Sequence, residues 1–127
     1  EEKMIQANDP SLKSWVEVPT GSDFPIQNLP FGVFRTPGNP SPRLCTAIGN
    51  FVADLSVLNY LSAFDELDIP AEVFTQASIN RFMALGKTTT GALRNRLAHI
   101  FQEGNTEYQE LAWHFLHPVE KVELLMP

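Results

Sequence analysis

Six of the ten prolines in this 127-residue chain fall between Pro19 and Pro42. Proline fixes φ at about −65° and removes a backbone donor, so neither a regular helix nor a central strand runs uninterrupted through this part of the chain. Yet residues 22–34, SDFPIQNLPFGVF, carry Phe24, Ile26, Leu29, Phe31, Val33 and Phe34, too much apolar surface for a solvated loop. The segment therefore reads as an extended strap. Pro25 and Pro30 pre-set φ and reduce the entropy lost on folding. Phe24, Ile26, Leu29 and Phe31 are its anchors, each contributing roughly 1.5–3 kcal/mol if fully buried. Asp23 and Asn28 are placed to cap local turns. The anchors either fill the local core or face a second body, and both readings stay open at this point.

Downstream of the prolines, strand patterns come first and helix patterns follow. Trp15-Val16-Glu17-Val18 is a short β candidate, and residues 32–36 are a second. TPGNPSPR (36–43) is rich in turn formers. Residues 43–48 and 51–55 predict a hairpin across Gly49-Asn50, because glycine accepts the positive φ of a two-residue turn. Alternation puts Leu44, Thr46 and Ile48 on one face, and the small Cys45 and Ala47 on the other, open to a close neighbour. Helices are predicted over 56–63, started by Asp54 or Ser56; over 79–85, capped by Ser78 and closed by Gly86; and over 89–103, where Leu93, Leu97, Ile100 and Phe101 form one stripe. Thr106-x-x-Gln109 reads as a capping box for a last helix burying Tyr108, Leu111, Ala112, Phe115 and Leu116, stopped by Pro118. Residues 119–126 read as a closing strand with Val122, Leu124 and Met126 on one face. A late strand must return to the early sheet to bury that face, so the expected fold is α+β: a small, partly open barrel of about five short strands with a helical insertion.

The length fits one domain, expected over residues 14–127 behind a loose segment at 1–13. No run of 18 apolar residues occurs. The first residues lack the basic and apolar regions of a secretory signal. The single cysteine, Cys45, excludes an internal disulfide, suits a reducing, cytoplasmic setting, and reads as a small buried hydrophobe. The net charge of −6, from 9 Lys+Arg against 15 Asp+Glu, argues against nucleic acid and against anionic membrane surfaces. DELD (65–68) reads as a solvated corner.

Few residues suggest chemistry. His114 and His117 have an i, i+3 spacing that metal sites use, but no third ligand is near in sequence. His99 lies among Arg94, Asn95 and Arg96 and reads as a surface residue. GKTTTG (86–91) echoes a phosphate loop but follows a helix pattern and lacks the earlier glycine, so a helix–turn–helix joint with a threonine cap is the better reading. No nucleophile elbow, HExxH or paired CxxC is present. No catalytic, cofactor-binding or metal-binding residue is assigned.

SDFPIQNLPFG (22–32), with Pro42-Arg43, Ala47-Ile48-Gly49, Asp54-Leu55 and NRFMALG (80–86), resembles the amino-terminal domain of the fumarylacetoacetase family over roughly residues 14–127. The resemblance implies an SH3-like barrel followed by a larger catalytic domain, which would be the second body for the strap anchors in the docking reading. It implies a homodimeric parent hydrolase that needs Ca²⁺ or Mg²⁺ and cleaves a carbon–carbon bond of a β-diketone, giving fumarate and acetoacetate in tyrosine and phenylalanine catabolism. The acidic metal ligands, catalytic histidine and substrate-holding residues would all belong to the second domain, so this chain is expected to scaffold. Two alternatives remain: a stand-alone SH3-like module that docks proline-rich peptides through Trp15, Phe31, Phe51 and Tyr60, and a small metal enzyme built on His114 and His117.

Overall fold

The computed structural model describes residues 14–16, 26 and 29–125. Its organising element is the predicted hairpin. β2 (Asn39–Ile48) and β3 (Phe51–Asp54) pair antiparallel, with Ile48 opposite Phe51 and Cys45 opposite Asp54. Between them Gly49 has φ 58°, the left-handed conformation that a residue with a Cβ resists. β1 (Phe31–Thr36) lies on the other side of β2, with Phe31 opposite Thr46. The expected long turn over 36–43 is corrected: Pro37 and Gly38 alone make the turn, and Asn39 to Pro42 continue β2. These residues extend past β3, which pairs only with Cys45 to Ile48, so the prolines cost no ladder bond on that side.

The helical layer follows. α1 (Leu55–Tyr60) is capped by Asp54, whose carboxylate accepts from the Ser56 and Val57 N–H groups. α2 (Asn80–Met83) ends before Gly86, whose φ of 92° turns the chain into α3 (Lys87–Phe101). Gly86, rather than a threonine, occupies the cap of α3, and the helix starts and stops two residues earlier than predicted. Leu93, Leu97, Ile100 and Phe101 are all fully buried, as the spacing requires.

The last predicted helix is overturned. No side-chain cap forms at residue 106; a 3₁₀ turn at Gln109–Leu111 leads into a single helical turn, α4 (Ala112–Phe115). Residues Leu116–Pro118 then form β4, which pairs with β3. The unpaired edge of β3 supplies backbone partners that outweigh local helix preference. The closing strand is shorter than expected: Val119–Lys121 is a 3₁₀ turn, and only Glu123–Leu125 forms β5, on the free edge of β1. Met126 lies outside the described residues. Trp15 and Val16 form no strand; Ser14 makes an isolated bridge to Gln102, and the Trp15 N–H donates to the Phe101 carbonyl at 2.9 Å.

The mixed fold has one antiparallel sheet in the order β4-β3-β2-β1-β5, with no pairing between β4 and β5. Its end strands are nevertheless joined directly. From Pro118 to Glu123 the chain can span at most about 18 Å, and the 3₁₀ turn shortens that reach. Five flat strands would set their outer members about 19 Å apart. The sheet must therefore curl. One face, with Leu44, Ile48 and Ala53, packs under the helices in the main core. The other, with Phe34, Cys45, Ala47 and Val52, is covered by Val119, Val122 and Leu124 of the connection, which makes it the concave face.

Candidate functional site

The concave face brings together Arg43, Cys45, Asp54 and His117. Antiparallel register sets Cys45 opposite Asp54, Phe34 opposite Arg43, and Val52 opposite His117. Arg43 and Asp54 are both buried, and the Arg43 Nε–H donates to Asp54 Oδ2 at 2.8 Å. Arg43 Nη1 donates to the Asn39 and Ser41 carbonyls at 2.9 and 3.0 Å, and Nη2 to Thr36 Oγ1 at 3.3 Å. Its guanidinium carbon sits 4.4 Å from the Phe34 ring centroid. Asp54 Oδ1 accepts from the Ser56 and Val57 N–H groups at 3.0 and 3.3 Å. The pair thus joins the β1–β2 turn to the start of α1, and its polar atoms are occupied in doing so.

The remaining groups are held uncharged. Burial, and secondarily the Asp54 carboxylate, push the Cys45 thiol up to about 12, far from the thiolate needed for attack. Burial, aided by Arg43, lowers the pKa of His117, whose ring centroid lies 5.6 Å from that of Phe34. Among the described residues, no buried side-chain nitrogen or oxygen lacks a hydrogen-bond partner. A site built this way fastens strands: the charged atoms of Arg43 and Asp54 are spent on internal bonds.

The sequence-nominated groups are not brought together elsewhere. His114 is exposed at the end of α4 while His117 is in β4, so the helical spacing that would join them is lost. Among the described residues no three His, Cys, Asp or Glu side chains are grouped to hold a metal ion. His99 is half-buried, and its carbonyl accepts from Asn105 Nδ2. Trp15, Phe31 and Phe51 pack on the main core, whereas Tyr60 is exposed, so these four aromatics do not line a peptide groove. DELD is a short 3₁₀ corner with Asp65, Glu66 and Asp68 exposed.

The described part of the strap belongs to the local core. Ile26 and Leu29 are buried, and Phe31 packs edge-on to Phe82 at 4.6 Å. The Arg94 guanidinium lies 4.8 Å from the Phe31 centroid, and its Nε–H donates to the Leu29 carbonyl at 3.3 Å. The Pro30 carbonyl accepts from Thr46 Oγ1 and from the Ala47 N–H. Asp23, Phe24, Pro25 and Asn28 lie outside the described residues. The Arg43–Asp54 pair was not anticipated. Counting outward from the two-residue turn brings residue 45 to residue 54, with Arg43 diagonal to Asp54 on one face, and that count was the available signal.

A shallow groove of ≈ 440 Å³ is bounded by Pro37, Pro40 and Val122, with the mutually bonded Arg35 and Glu123 on its wall. Trp113 is 76% exposed, its ring centroid 3.6 Å from that of His114. Among the described residues no helix is long and apolar enough to cross a membrane.

The Fumarylacetoacetase N-terminal family matches residues 27–127. Fumarylacetoacetase of Dictyostelium discoideum is 40% identical over 122 residues, and that of Arabidopsis thaliana 37% over 120; each alignment covers 91% of this chain and 28% of the relative. The Homo sapiens fumarylacetoacetase is 46% identical over 74 residues, 58% of this chain and 18% of its own length. The aligned part thus spans between 18% and 28% of these relatives' own length.

Proposed function

The chain belongs to the fumarylacetoacetase N-terminal family, and from that premise we propose that residues 14–127 are the amino-terminal domain of a fumarylacetoacetase-like hydrolase; the segment expected at 1–13 lies outside the described residues. The longer enzyme hydrolyses a carbon–carbon bond of 4-fumarylacetoacetate to fumarate and acetoacetate, the last step of tyrosine and phenylalanine catabolism. It works in the cytoplasm as a homodimer, with neither nucleic acid nor membrane as partner. This domain supplies no catalytic residue; it is a scaffold against which the following catalytic domain docks. The observation that carries the reading is the family match across residues 27–127.

Two structural features support the assignment of a supporting role and an SH3-like barrel. The concave cluster is spent on internal bonds, with Arg43 and Asp54 occupied and the Cys45 thiol uncharged. The five-stranded sheet is curled by a 3₁₀ turn joining its two end strands. The Ca²⁺ or Mg²⁺ of the parent finds no fitting donor set among the described residues. Asp54 is committed to Arg43 and to the α1 cap, and Glu72, Glu107 and Glu123 are exposed partners of arginines. The cation belongs to the catalytic domain.

The test compares the full-length enzyme, the enzyme without residues 1–127, and the chain alone, following loss of the diketone chromophore and thermal unfolding. The shortened enzyme is expected to unfold at lower temperature with reduced activity, and the chain alone to consume no substrate. Turnover by the chain alone, or a shortened enzyme equal to the full-length one in both measurements, would refute the reading.

A further inference from the structure

We propose that Trp113, exposed beside the His114 ring, is the anchor through which this domain docks onto the polypeptide that follows it in the longer enzyme. The inference rests on the preceding reading that the chain is one domain of such an enzyme. Scattered exposed apolar residues are ordinary on protein surfaces, but Trp113 differs in size, restraint and setting. It is 76% exposed on a single helical turn, and the adjacent imidazole lies at a ring separation of 3.6 Å and 31°. The surrounding segment is also incompletely covered. Leu111, Leu116, Val119, Val122 and Leu125 are all half-buried, whereas the apolar stripe of α3 is fully buried. Of residues 111–125, Phe115 alone is fully enclosed.

The occupant follows from chain length and position. The relatives continue well beyond the matched region, since the aligned part is 28% of their length. Docking within one polypeptide then occurs at an effective concentration in the millimolar range. Tryptophan is the side chain most often found as an energetic anchor of an interface, because it buries a large rigid surface at little entropic cost.

Hydroxyl-radical footprinting of the native full-length enzyme reads the exposure of Trp113 directly, with the same enzyme unfolded in urea as reference. Its oxidation is expected to fall about tenfold in the native enzyme, as for an anchor in a desolvated pocket. Trp113→Ala in the full-length enzyme is expected to raise the rate of proteolytic cleavage between the two domains roughly thirtyfold, the opening expected on loss of a central aromatic anchor; Trp113→Phe should restore most of the protection. Equal oxidation in native and unfolded enzyme, or an unchanged cleavage rate in the alanine variant, overturns the proposal. Protection that vanishes on dilution to separated subunits assigns the ring to a second copy and also overturns it. These outcomes stay distinct from failure of the domain reading, which the shortened enzyme decides.

Discussion

The two faces of this sheet are stabilised in different ways. The face under the helices carries Leu44, Ile48 and Ala53 and joins a continuous apolar core with Leu58, Phe82, Leu97 and Phe101. The concave face has little volume, because its end strands are linked by the 3₁₀ turn Val119–Lys121. It packs Phe34 with the small Cys45, Ala47 and Val52, and places a buried ion pair beside the Phe34 ring. The first face is held by non-directional burial and tolerates exchange of shape. The second is held by directional bonds that join three elements and fails when one partner is lost.

The largest expected effect tests the concave face. Asp54→Ala leaves the Arg43 guanidinium buried without a counter-charge, at about 3–5 kcal/mol, and removes the α1 cap, at about 1 kcal/mol more. Urea unfolding measures the sum. Arg43→Met combined with Asp54→Asn keeps a cap and removes the buried charge, so the double variant is expected to be more stable than Asp54→Ala alone. A single-variant loss below about 1 kcal/mol, typical of exposed pairs, would erase the distinction between the two faces.

Next comes the apolar face. Leu97→Ala, at a fully buried position of α3, is expected to cost about 2–5 kcal/mol, whereas Leu97→Met should stay under about 1.5 kcal/mol because volume is kept. Equal losses for both would show that this core reads shape as strictly as the concave face reads charge.

What the sequence made legible divides along the same line. The Gly49-Asn50 hairpin, the alternation of Leu44, Thr46 and Ile48 against Cys45 and Ala47, and the α3 stripe depend on neighbours along the chain, and each is present. β4 was hidden because its three residues become a strand only against the edge of β3, far away in sequence. Residues 106–117 carry helical spacing, yet pairing at Leu116 and His117 stops the helix after Phe115. Prolines concealed the start of β2, since their cost depends on whether a strand lies beside them. The ion pair required the register, not the composition. Most strap anchors, by contrast, could be named from the sequence, while the direction they face required the fold: Ile26, Leu29 and Phe31 turn inward.

A smaller effect probes the concave face through pH. Burial holds His117 below the ordinary histidine value of 6.5. The unfolded chain therefore takes up this proton at a higher pH than the folded one. Stability from this group is complete above 6.5 and declines as pH falls from 6.5 toward the lowered folded value. His117→Gln is expected to flatten that part of the pH profile in urea titrations. A profile that steepens in the variant would mean that groups other than this imidazole carry the dependence.

The smallest effect is expected at the second cross-strand arginine pair, and it sharpens the contrast because the chemistry is the same. Arg35 on β1 stands opposite Glu123 on β5 and bonds to it through both Nε and Nη2, but both side chains are about half exposed. Arg35 holds the Glu123 carboxyl below the usual range, chiefly through the hydrogen bond. That contribution is present above the ordinary carboxylate pKa and disappears as pH falls through the lowered value. Solvent and salt screen it, so Arg35→Gln should leave the unfolding midpoint unchanged at physiological ionic strength and move it slightly only in low salt. A shift comparable to that of Asp54→Ala would instead place the attachment of β5 on this bond. The half-buried Val122 and Leu124 would then count for little in holding this edge of the sheet.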